Sequence, residues 1–322
     1  MSDDPTTTLD EGMSYLVAFP ERFTVPALDS PGAQDHARWC CEQLERGHIL
    51  FFPRMPFNVP QEEQAFLLTL QQTGARYHKN IAYRPATKQV TGFAGGQRNA
   101  AEKLQTILGN YSNRAARFVA DLLPPYVSGV RRDFASFRPL EERGRALRVH
   151  ARNDLLHTDA FPTRPTNGDR ILRLFTNINP SQARVWLTSQ TFTALAPRLA
   201  LRAGLEQCVR ASRGALSRRL LRAGRTLGLP VTDRSPYDKF MLRFHDYLKE
   251  SEEFQRDCPK NKVEFLPGST WMVFTDMVSH AVLSGKFALE QTFIVSKDVM
   301  VRPEFAPFRI LTEICGQPVT DN

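Results

Sequence analysis

A series of short apolar runs, separated by Gly, Pro, Asn and Asp, follows residue 132 and constrains the fold more than any other feature of the chain. The runs are rich in β-branched and aromatic residues, which favour strands. They are RALRVHA, DRILRLFTNIN, ARVWLTSQTF, KFMLRFHDYLK, KVEFLPGSTWMVFTD, SHAVLSG and ALEQTFIVS. Strands this short and this closely spaced predict an antiparallel sandwich or barrel.

The part before residue 131 is predicted to be mainly helical, after an irregular lead-in over residues 1–30. Helical spacing and stop signals predict three helices, in GAQDHARWCCEQLERG, PQEEQAFLLTLQQTG and AEKLQTILGNYSNRAARFVADLLPPY, and a buried strand in HILFFP. We therefore predict an α+β, mainly β protein with one domain over 31–322, comprising a helical part (31–130), a β core (131–300) and a C-terminal tail (301–322).

A basic segment at about 197–230 interrupts the β core. It carries eight arginines between Arg198 and Arg225 against one acid, Glu206. Its apolar residues fall near one helical face, which predicts one or two amphipathic helices, broken around Gly214; they are Leu201, Leu205, Val209, Leu216 and Leu220. Two interpretations of this segment stay open. It is either a solvent-exposed helical insertion that covers the β core or a helix that lies on an anionic membrane surface.

The net charge of +8 and the isoelectric point near 9.4 indicate an anionic partner, such as nucleic acid, a phosphorylated substrate or an acidic membrane surface. No run approaches the roughly eighteen apolar residues that span a bilayer. The start, MSDDPTTTLDEG, is acidic and polar, unlike a signal peptide. We expect a cytoplasmic protein without an integral membrane span.

His157 and Asp159, in the stretch HTDAF, have the spacing that lets an imidazole and a carboxylate bind one metal from a single extended segment. His280, 121 residues beyond Asp159 and after a predicted strand and turn, is the natural third ligand of a two-histidine, one-carboxylate Fe(II) site. Alone the motif is weak, since a chain with seven histidines has a sizeable chance of one such pair on its surface. The other histidines, His245 among them, have no ligand-spaced partner and are interpreted as structural or surface residues.

The strand that follows the motif strengthens the case for a site. In DRILRLFTNIN, strand alternation places an apolar set on one face (Leu172, Leu174, Thr176, Ile178) and a more polar set on the other (Arg173, Phe175, Asn177, Asn179). Because its predicted neighbours are rich in Trp and Phe, we expect burial on both sides. The polar face should then line a cavity.

These segments resemble the Fe(II)/2-oxoglutarate-dependent dioxygenases, on GHILFFPRMPF, the HTD motif, NGDRILRLFTNINP and PGSTWMVFTDMVSHAVLSG. Within that superfamily, HTDAFPTRPTNGDRILRLFTNINP, SPYDKFMLRFHDYLK and SHAVLSGKFALEQTF look specifically like the hydroxylases of 3-deoxy-D-manno-oct-2-ulosonic acid (Kdo). The resemblance implies a double-stranded β-helix, the cupin-like jelly roll, with N-terminal helices and a basic helical insertion. It also implies Fe(II), 2-oxoglutarate and O2 as cofactor and cosubstrates.

The function implied by the resemblance is hydroxylation, at position 3, of the Kdo sugar of Kdo-lipid A in the lipopolysaccharide inner core. The resemblance assigns His157, Asp159 and His280 to the iron. Such a substrate carries carboxylates and phosphates, and the nearest arginines that could pair with them are Arg148, Arg152 and Arg164, although each could equally be ordinary surface charge.

The resemblance offers two positions for the residue that clamps 2-oxoglutarate. Many members of the superfamily use an arginine about eleven residues after the last histidine, where this chain has Gln291, which cannot supply a charged fork. Another branch uses a basic residue about fourteen positions past the acid, where Arg173 stands. The predicted set is therefore Arg173 with Asn177 beside it, Gln291 at the position of the usual arginine, and Lys286 in reserve.

The substrate class implied by the resemblance places the enzyme at the cytoplasmic face of a Gram-negative inner membrane, docked peripherally by the basic segment. Two alternatives keep the positive charge and change the function. One is a 2-oxoglutarate oxygenase that acts on a protein or nucleic acid, although no basic and aromatic nucleic-acid motif is present in the sequence. The other is a non-catalytic basic protein that binds lipid at a membrane surface.

Overall fold

The computed structural model describes residues 12–27, 29–70, 80–93, 98–144, 147–213 and 234–321. The described helices are α1 (Ala33–Glu45), α2 (Gln61–Thr69), α3 (Arg98–Leu122), α4 (Phe192–Leu199), α5 (Leu205–Arg213), α6 (Pro236–Glu250), α7 (Glu252–Asp257) and α8 (Pro307–Cys315). Short 3₁₀ turns lie at Pro124–Tyr126, Val149–Ala151, Lys297–Val299 and Pro303–Phe305.

The strands form a mixed α/β architecture dominated by one large, mainly antiparallel sheet. They are β1 (Leu16–Ala18), β2 (Ile49–Phe52), β3 (Ile81–Arg84), β4 (Gln89–Thr91), β5 (Val130–Arg138), β6 (Arg170–Asn177), β7 (Arg184–Thr191), β8 (Asn261–Phe265), β9 (Thr270–Phe274), β10 (Val278–Ser284) and β11 (Ala288–Val295). The large sheet has the order β1-β2-β9-β6-β11-β5-β3-β4, and the small sheet has the order β10-β7-β8. Only β1 and β2 pair in parallel among these strands.

Two apolar layers cover the two faces of the large sheet. One lies between the sheet and the helices and takes Leu172 and Leu174 from β6. The other contains side chains of both sheets, with Phe175, Trp186 and Trp271 at its centre. The Phe265 and Trp271 rings stack there at 3.8 Å between centroids. Burial of β6 on both sides, expected from its sequence, is confirmed.

The predicted helices α1, α2 and α3 and the predicted strands β2 and β6 to β11 are present. Two of the predicted strands are wrong. KFMLRFHDYLK lies inside α6, and the part of RALRVHA that the structure describes contains the 3₁₀ turn Val149–Ala151. Strands β3, β4 and β5 were not predicted, and neither was β1, which lies in the lead-in over residues 1–30 that was predicted to be irregular. The predicted end of the second helix at Gly74 lies outside the described residues.

The basic segment is described only up to residue 213. Its apolar side packs inward there, since Leu205 and Val209 are buried and α5 lies against α6, while Leu201 is 52% exposed. Leu216, Leu220 and the predicted break at Gly214 lie outside the described residues. Within the described ranges, none of the helices combines the length and the apolar character that crossing a bilayer requires.

A buried ion pair fixes the strand that follows the HTD motif to the turn that precedes β10. Arg170 and Asp276 are 0% and 1% exposed, and the Arg170 Nε donates to Oδ2 of Asp276 at 2.7 Å. The guanidinium also lies over the Phe274 ring, 4.3 Å from its centroid. This contact holds the start of β6 next to the segment that carries His280.

Candidate metal centre and active site

The HTD segment lies beside β10, where His157 and His280 form an isolated antiparallel bridge. The His157 N–H donates to the His280 carbonyl at 3.1 Å, and the His280 N–H donates to the His157 carbonyl at 2.9 Å. Their ring centroids lie 4.8 Å apart. Two residues 123 positions apart in sequence are thus fixed side by side by the backbone.

Three histidines in this region have one ring nitrogen bonded to a backbone carbonyl. The Nδ1 atoms of His157, His280 and His245 lie 2.7, 2.9 and 2.8 Å from the carbonyl oxygens of Leu155, Val278 and Thr158. Because a carbonyl only accepts, each Nδ1 carries the proton and each Nε2 keeps its lone pair for a metal.

Asp159 completes a group of potential metal ligands. Its Oδ1 is 3.7 Å from Nε2 of His157, and its Oδ2 is buried without a hydrogen bond. The ligand atoms of His157, Asp159 and His245 lie within 4.8 Å of one another. His245, which sequence reasoning interpreted as structural, therefore stands at the same centre as His280. Its ring centroid is 4.8 Å from that of His157.

The charge states of these groups suit a cation. Burial, together with the nearby His280 and His245, holds the pKa of His157 well below its usual value, and burial also lowers the pKa of His280 and His245. Burial alone would raise the pKa of Asp159, but Arg173 and the histidines outweigh it and hold that pKa far below its usual range. The centre thus presents neutral imidazoles and an ionised carboxylate near neutral pH.

A line of buried charges runs from this centre into the large sheet. Nε of Arg173 is 3.2 Å from Oδ2 of Asp159, and its Nη1 is 3.2 Å from Oε1 of Glu290. Glu290 in turn accepts from Nε of Arg138 at 2.8 Å. Although burial would raise the pKa of Glu290, Arg138 and Arg173 lower it to about 2. Both arginines are thereby paired with carboxylates inside the protein.

The centre opens into a cavity of about 310 Å³. Besides the residues named above, its described lining includes Asn80, His150, Ala151, Asn153, Ala160, Pro162, Phe175, Arg184, Trp186, Lys249 and Val282. The Arg184 Nη1 donates to the Gly285 carbonyl at 2.8 Å, whereas its Nε and Nη2 are buried without hydrogen bonds. Burial and the nearby Arg138 lower the pKa of Arg184 to about 10. The cavity is strongly cationic and suits anionic ligands.

Of the four residues predicted to bind 2-oxoglutarate, only Arg173 is among the described lining residues. Asn177 points away, with Nδ2 donating to the carbonyls of Gln182 and Phe265 at 3.0 and 2.9 Å. Gln291 is fully buried, and its Nε2 donates to the Asp133 carbonyl at 3.0 Å.

The fourth, Lys286, lies over the ring of Phe287, with Nζ 4.8 Å from its centroid. Its side chain is likewise not among the described lining of the cavity. Asn177 and Gln291 thus bond to the backbone around the site, and none of the three residues contributes to the described walls.

The arginines predicted to bind substrate are also absent from the described lining. Arg148 is exposed, and Arg152 forms a surface ion pair with Asp154 at 2.7 Å. Arg164 pairs with Asp133 and stacks on the Phe161 ring, 4.0 Å from its centroid. The positive charge of the cavity comes instead from Arg138, Arg173, Arg184 and Lys249.

Sequence reasoning missed Arg138, Arg184, Glu290, His245 and Lys249. The last two are four residues apart and therefore share one face of α6. Interpretation of that segment as a strand hid this spacing. Of the remaining three, Arg138 and Glu290 come together through the pairing of β5 with β11, and Arg184 reaches them from β7 of the small sheet, arrangements for which the local sequence carries no signal.

The donor set fits a divalent first-row metal. Imidazole nitrogens and one carboxylate, buried beside a cavity that leaves room for further ligands, match the arrangement found for non-heme Fe(II). The buried, unbonded Oδ2 of Asp159 is consistent with such a role.

Comparisons with known proteins agree with this chemistry. The profile of the 3-deoxy-D-manno-oct-2-ulosonic acid (Kdo) hydroxylase family matches residues 28–318. Among solved structures, the Kdo hydroxylase KdoO, a non-heme Fe(II) alphaketoglutarate dependent dioxygenase, in complex with alphaketoglutarate and Fe(III), is 33% identical over 95% of this chain and 97% of that chain, with a TM-score of 0.80. The structure of KdoO in complex with cobalt(II) is 33% identical over 95% of this chain and 98% of that chain, also with a TM-score of 0.80. No curated protein matches the chain.

Glu290→Gln is expected to lower the free energy of unfolding by about 3 kcal/mol at neutral pH, because it leaves two buried arginines without their shared carboxylate. The folded pKa of Glu290 is about 2 and its reference value is 4.5, so the stabilisation is complete above 4.5 and is lost as pH falls towards 2. The difference between wild type and variant, measured by urea unfolding, should shrink over that range.

The matched control is Glu304→Gln, which removes the carboxylate of an exposed pair with Arg302 and should change stability little. If the free energies of unfolding of wild type and Glu290→Gln differ by the same amount as the pH falls from 4.5 to 2, an ionised Glu290 does not stabilise the fold.

Proposed function

The chain belongs to the Kdo hydroxylase family, and we propose that it is an Fe(II)/2-oxoglutarate-dependent dioxygenase that hydroxylates, at position 3, the Kdo sugar of Kdo-lipid A in the lipopolysaccharide inner core. The observation that carries this proposal is one cavity that combines two bridged histidines and a carboxylate with cationic walls. A Kdo glycolipid and 2-oxoglutarate are both anionic, which suits those walls.

The test combines iron-loaded protein, 2-oxoglutarate and Kdo-lipid A under air. The expected products are succinate and a lipid that has gained one oxygen atom on the Kdo unit, followed by mass spectrometry. Asp159→Ala is the inactive control. Succinate release without an oxidised lipid would overturn the substrate assignment, and an iron-independent reaction would overturn the class of enzyme.

We assign the iron to His157, Asp159 and His280. When bound, iron would activate O2, the oxidant, so that decarboxylation of the 2-oxo acid to succinate and CO2 is coupled to insertion of one oxygen atom into a C–H bond. The protein holds each imidazole by its Nδ1 proton and keeps Asp159 ionised through Arg173. His280 is favoured over His245 as third ligand because its backbone is bonded directly to His157 and its ring stacks on Trp186, 5.1 Å between centroids.

His280→Ala is expected to weaken Co(II) binding roughly 100-fold or more, since it removes a ligand, whereas His245→Ala should weaken it less than about 10-fold. Visible absorption during titration with Co(II) gives both affinities. Each variant removes one imidazole ring from the same cluster, so the two serve as controls for each other. A larger loss in His245→Ala would make His245 the ligand.

For the cosubstrate we infer that Arg173 and Arg184 act together. Arg173 contacts the carboxylate proposed to bind iron and therefore stands where the 2-oxo acid would bind. The Nε and Nη2 atoms of Arg184 are buried without hydrogen bonds, and such a fork matches a carboxylate. The frame around them is proposed to be a jelly roll, with the two sheets as its halves.

Arg173→Leu and Arg184→Leu are each expected to raise KM for 2-oxoglutarate about 10-fold or more, and KM for Kdo-lipid A less, because each removes a charged hydrogen-bond donor from the cosubstrate. Succinate formation at varied 2-oxoglutarate measures this. Arg256→Leu removes a surface arginine paired with Asp257 and should change neither constant. An unaltered cosubstrate dependence in either cavity variant rules out that residue's role.

We also propose that the protein works at the cytoplasmic face of the inner membrane, docked through the basic segment. The support is its eight arginines against one acid over Arg198–Arg225. The described part packs its apolar side inward, so lipid contact is assigned to the arginines beyond residue 213, which lie outside the described residues.

Replacement of Arg218, Arg219 and Arg222 by Ser should reduce flotation with vesicles rich in anionic phospholipid, because each arginine near the surface contributes about 1 kcal/mol of attraction. The control removes three other exposed cations, Arg256, Lys260 and Lys262. Equal flotation of wild type and the first variant would reject docking through this segment.

A further inference from the structure

Helix α6 presents a buried ammonium group to the cavity. Lys249 is 5% exposed, lines the cavity, and donates from Nζ to the carbonyl of His150 at 2.9 Å. An ammonium has three donors, and this neutral carbonyl is the only described hydrogen-bond partner. In the described ranges no carboxylate forms an ion pair with Lys249. A buried cation with so little compensation favours an anion.

Unlike Lys249, the guanidinium groups of the cavity have carboxylates nearby that offset their positive charge. Arg138 pairs with Glu290, and Arg173 contacts both Glu290 and Asp159. Arg184 donates to a carbonyl and lies 3.7 Å from Glu142. Lys249 stands apart from these three, since it comes from a helix rather than from the sheets. The cavity thus has a cationic group on its helical wall besides the arginines of its sheet walls.

Electrostatics support the same conclusion. Burial lowers the pKa of Lys249, and the more distant carboxylates of Asp159, Asp246 and Asp154 do not offset it. An anion in contact with Nζ would favour the charged form and reverse this effect.

We propose that Lys249 binds the carboxylate of the Kdo sugar and orients the sugar above the metal centre, an inference that rests on the function proposed above. The same face of α6 carries His245, whose ring centroid lies 4.8 Å from that of His157, so an anion on Nζ is held near the metal ligands. In a 3-deoxy-2-ulosonic acid the carboxylate carbon is two bonds from carbon 3. Fixing that carboxylate therefore fixes the carbon to be oxidised.

The experiment compares Kdo-lipid A with the methyl ester of its Kdo carboxylate, using wild type, Lys249→Met and Lys249→Arg. In wild type the ester should raise KM about 10- to 100-fold, as expected for loss of a charged hydrogen bond. Lys249→Met should show the same rise with the acid and little difference between acid and ester, because the two changes remove one interaction. Lys249→Arg should recover a preference for the acid.

Lys239→Met is the matched control, since it removes one lysine from the same helix and Lys239 is not among the described lining of the cavity. It should keep the wild-type preference for the acid. Succinate formation without lipid measures the cosubstrate separately, and Lys249→Met should leave its KM for 2-oxoglutarate within about twofold of wild type.

Three results would overturn the inference. They are a wild-type enzyme indifferent to esterification, a Lys249→Met variant that keeps the wild-type preference for the acid, and a Lys249→Met variant whose KM rises for 2-oxoglutarate instead. If Lys249→Met does not fold, the KM values for acid and ester in wild type and in Lys249→Arg test the inference instead. Wild type that releases succinate but oxidises neither lipid overturns the proposed function itself, which is a distinct outcome.

Discussion

A line of four buried charges, Arg138, Glu290, Arg173 and Asp159, connects strands β5, β11 and β6 to the HTD segment. An unpaired charge in such surroundings destabilises a fold by several kcal/mol, so the strands are restricted to the register that pairs all four. A slip by one residue would turn these side chains to the opposite face. The position of the proposed iron ligand Asp159 is therefore set by the pairing of the sheet.

The two kinds of wall in the cavity are held in place by different contacts. The sheets contribute His280 and the arginines, whose geometry is fixed by strand pairing and by ion pairs, and the HTD segment contributes His157, bridged to His280. Helix α6 contributes His245 and Lys249, and it is held by its own contacts, including an N-cap in which Ser235 accepts from the Asp238 N–H at 3.1 Å. A metal and its cosubstrate need fixed donors, whereas the substrate side differs between enzymes that share this chemistry.

The sequence predicted the strands that carry strong local signals, and it nominated His157, Asp159 and His280 as metal ligands, which the structure brings together at one cavity. It did not predict α6, because Phe240, Leu242 and Phe244 alternate like a strand over a short window. The longer pattern, with buried Phe240, Met241, Phe244 and Leu248, has helical spacing. Serine followed by proline, at Ser235 and Pro236, is also a helix start. Arg138 and Glu290 could not be foreseen, since only the pairing of β5 with β11 brings them together.

The excess of arginine has two physical origins, which composition alone cannot separate. Some arginines form buried ion pairs that stabilise the fold, such as Arg170 with Asp276 and Arg138 with Glu290. Their charge is balanced inside the protein. Arg184 is different, because its fork retains buried N–H groups without hydrogen bonds at a cavity wall. The few cations with incomplete balance at the cavity, rather than the net charge of +8, therefore indicate which anions the site binds.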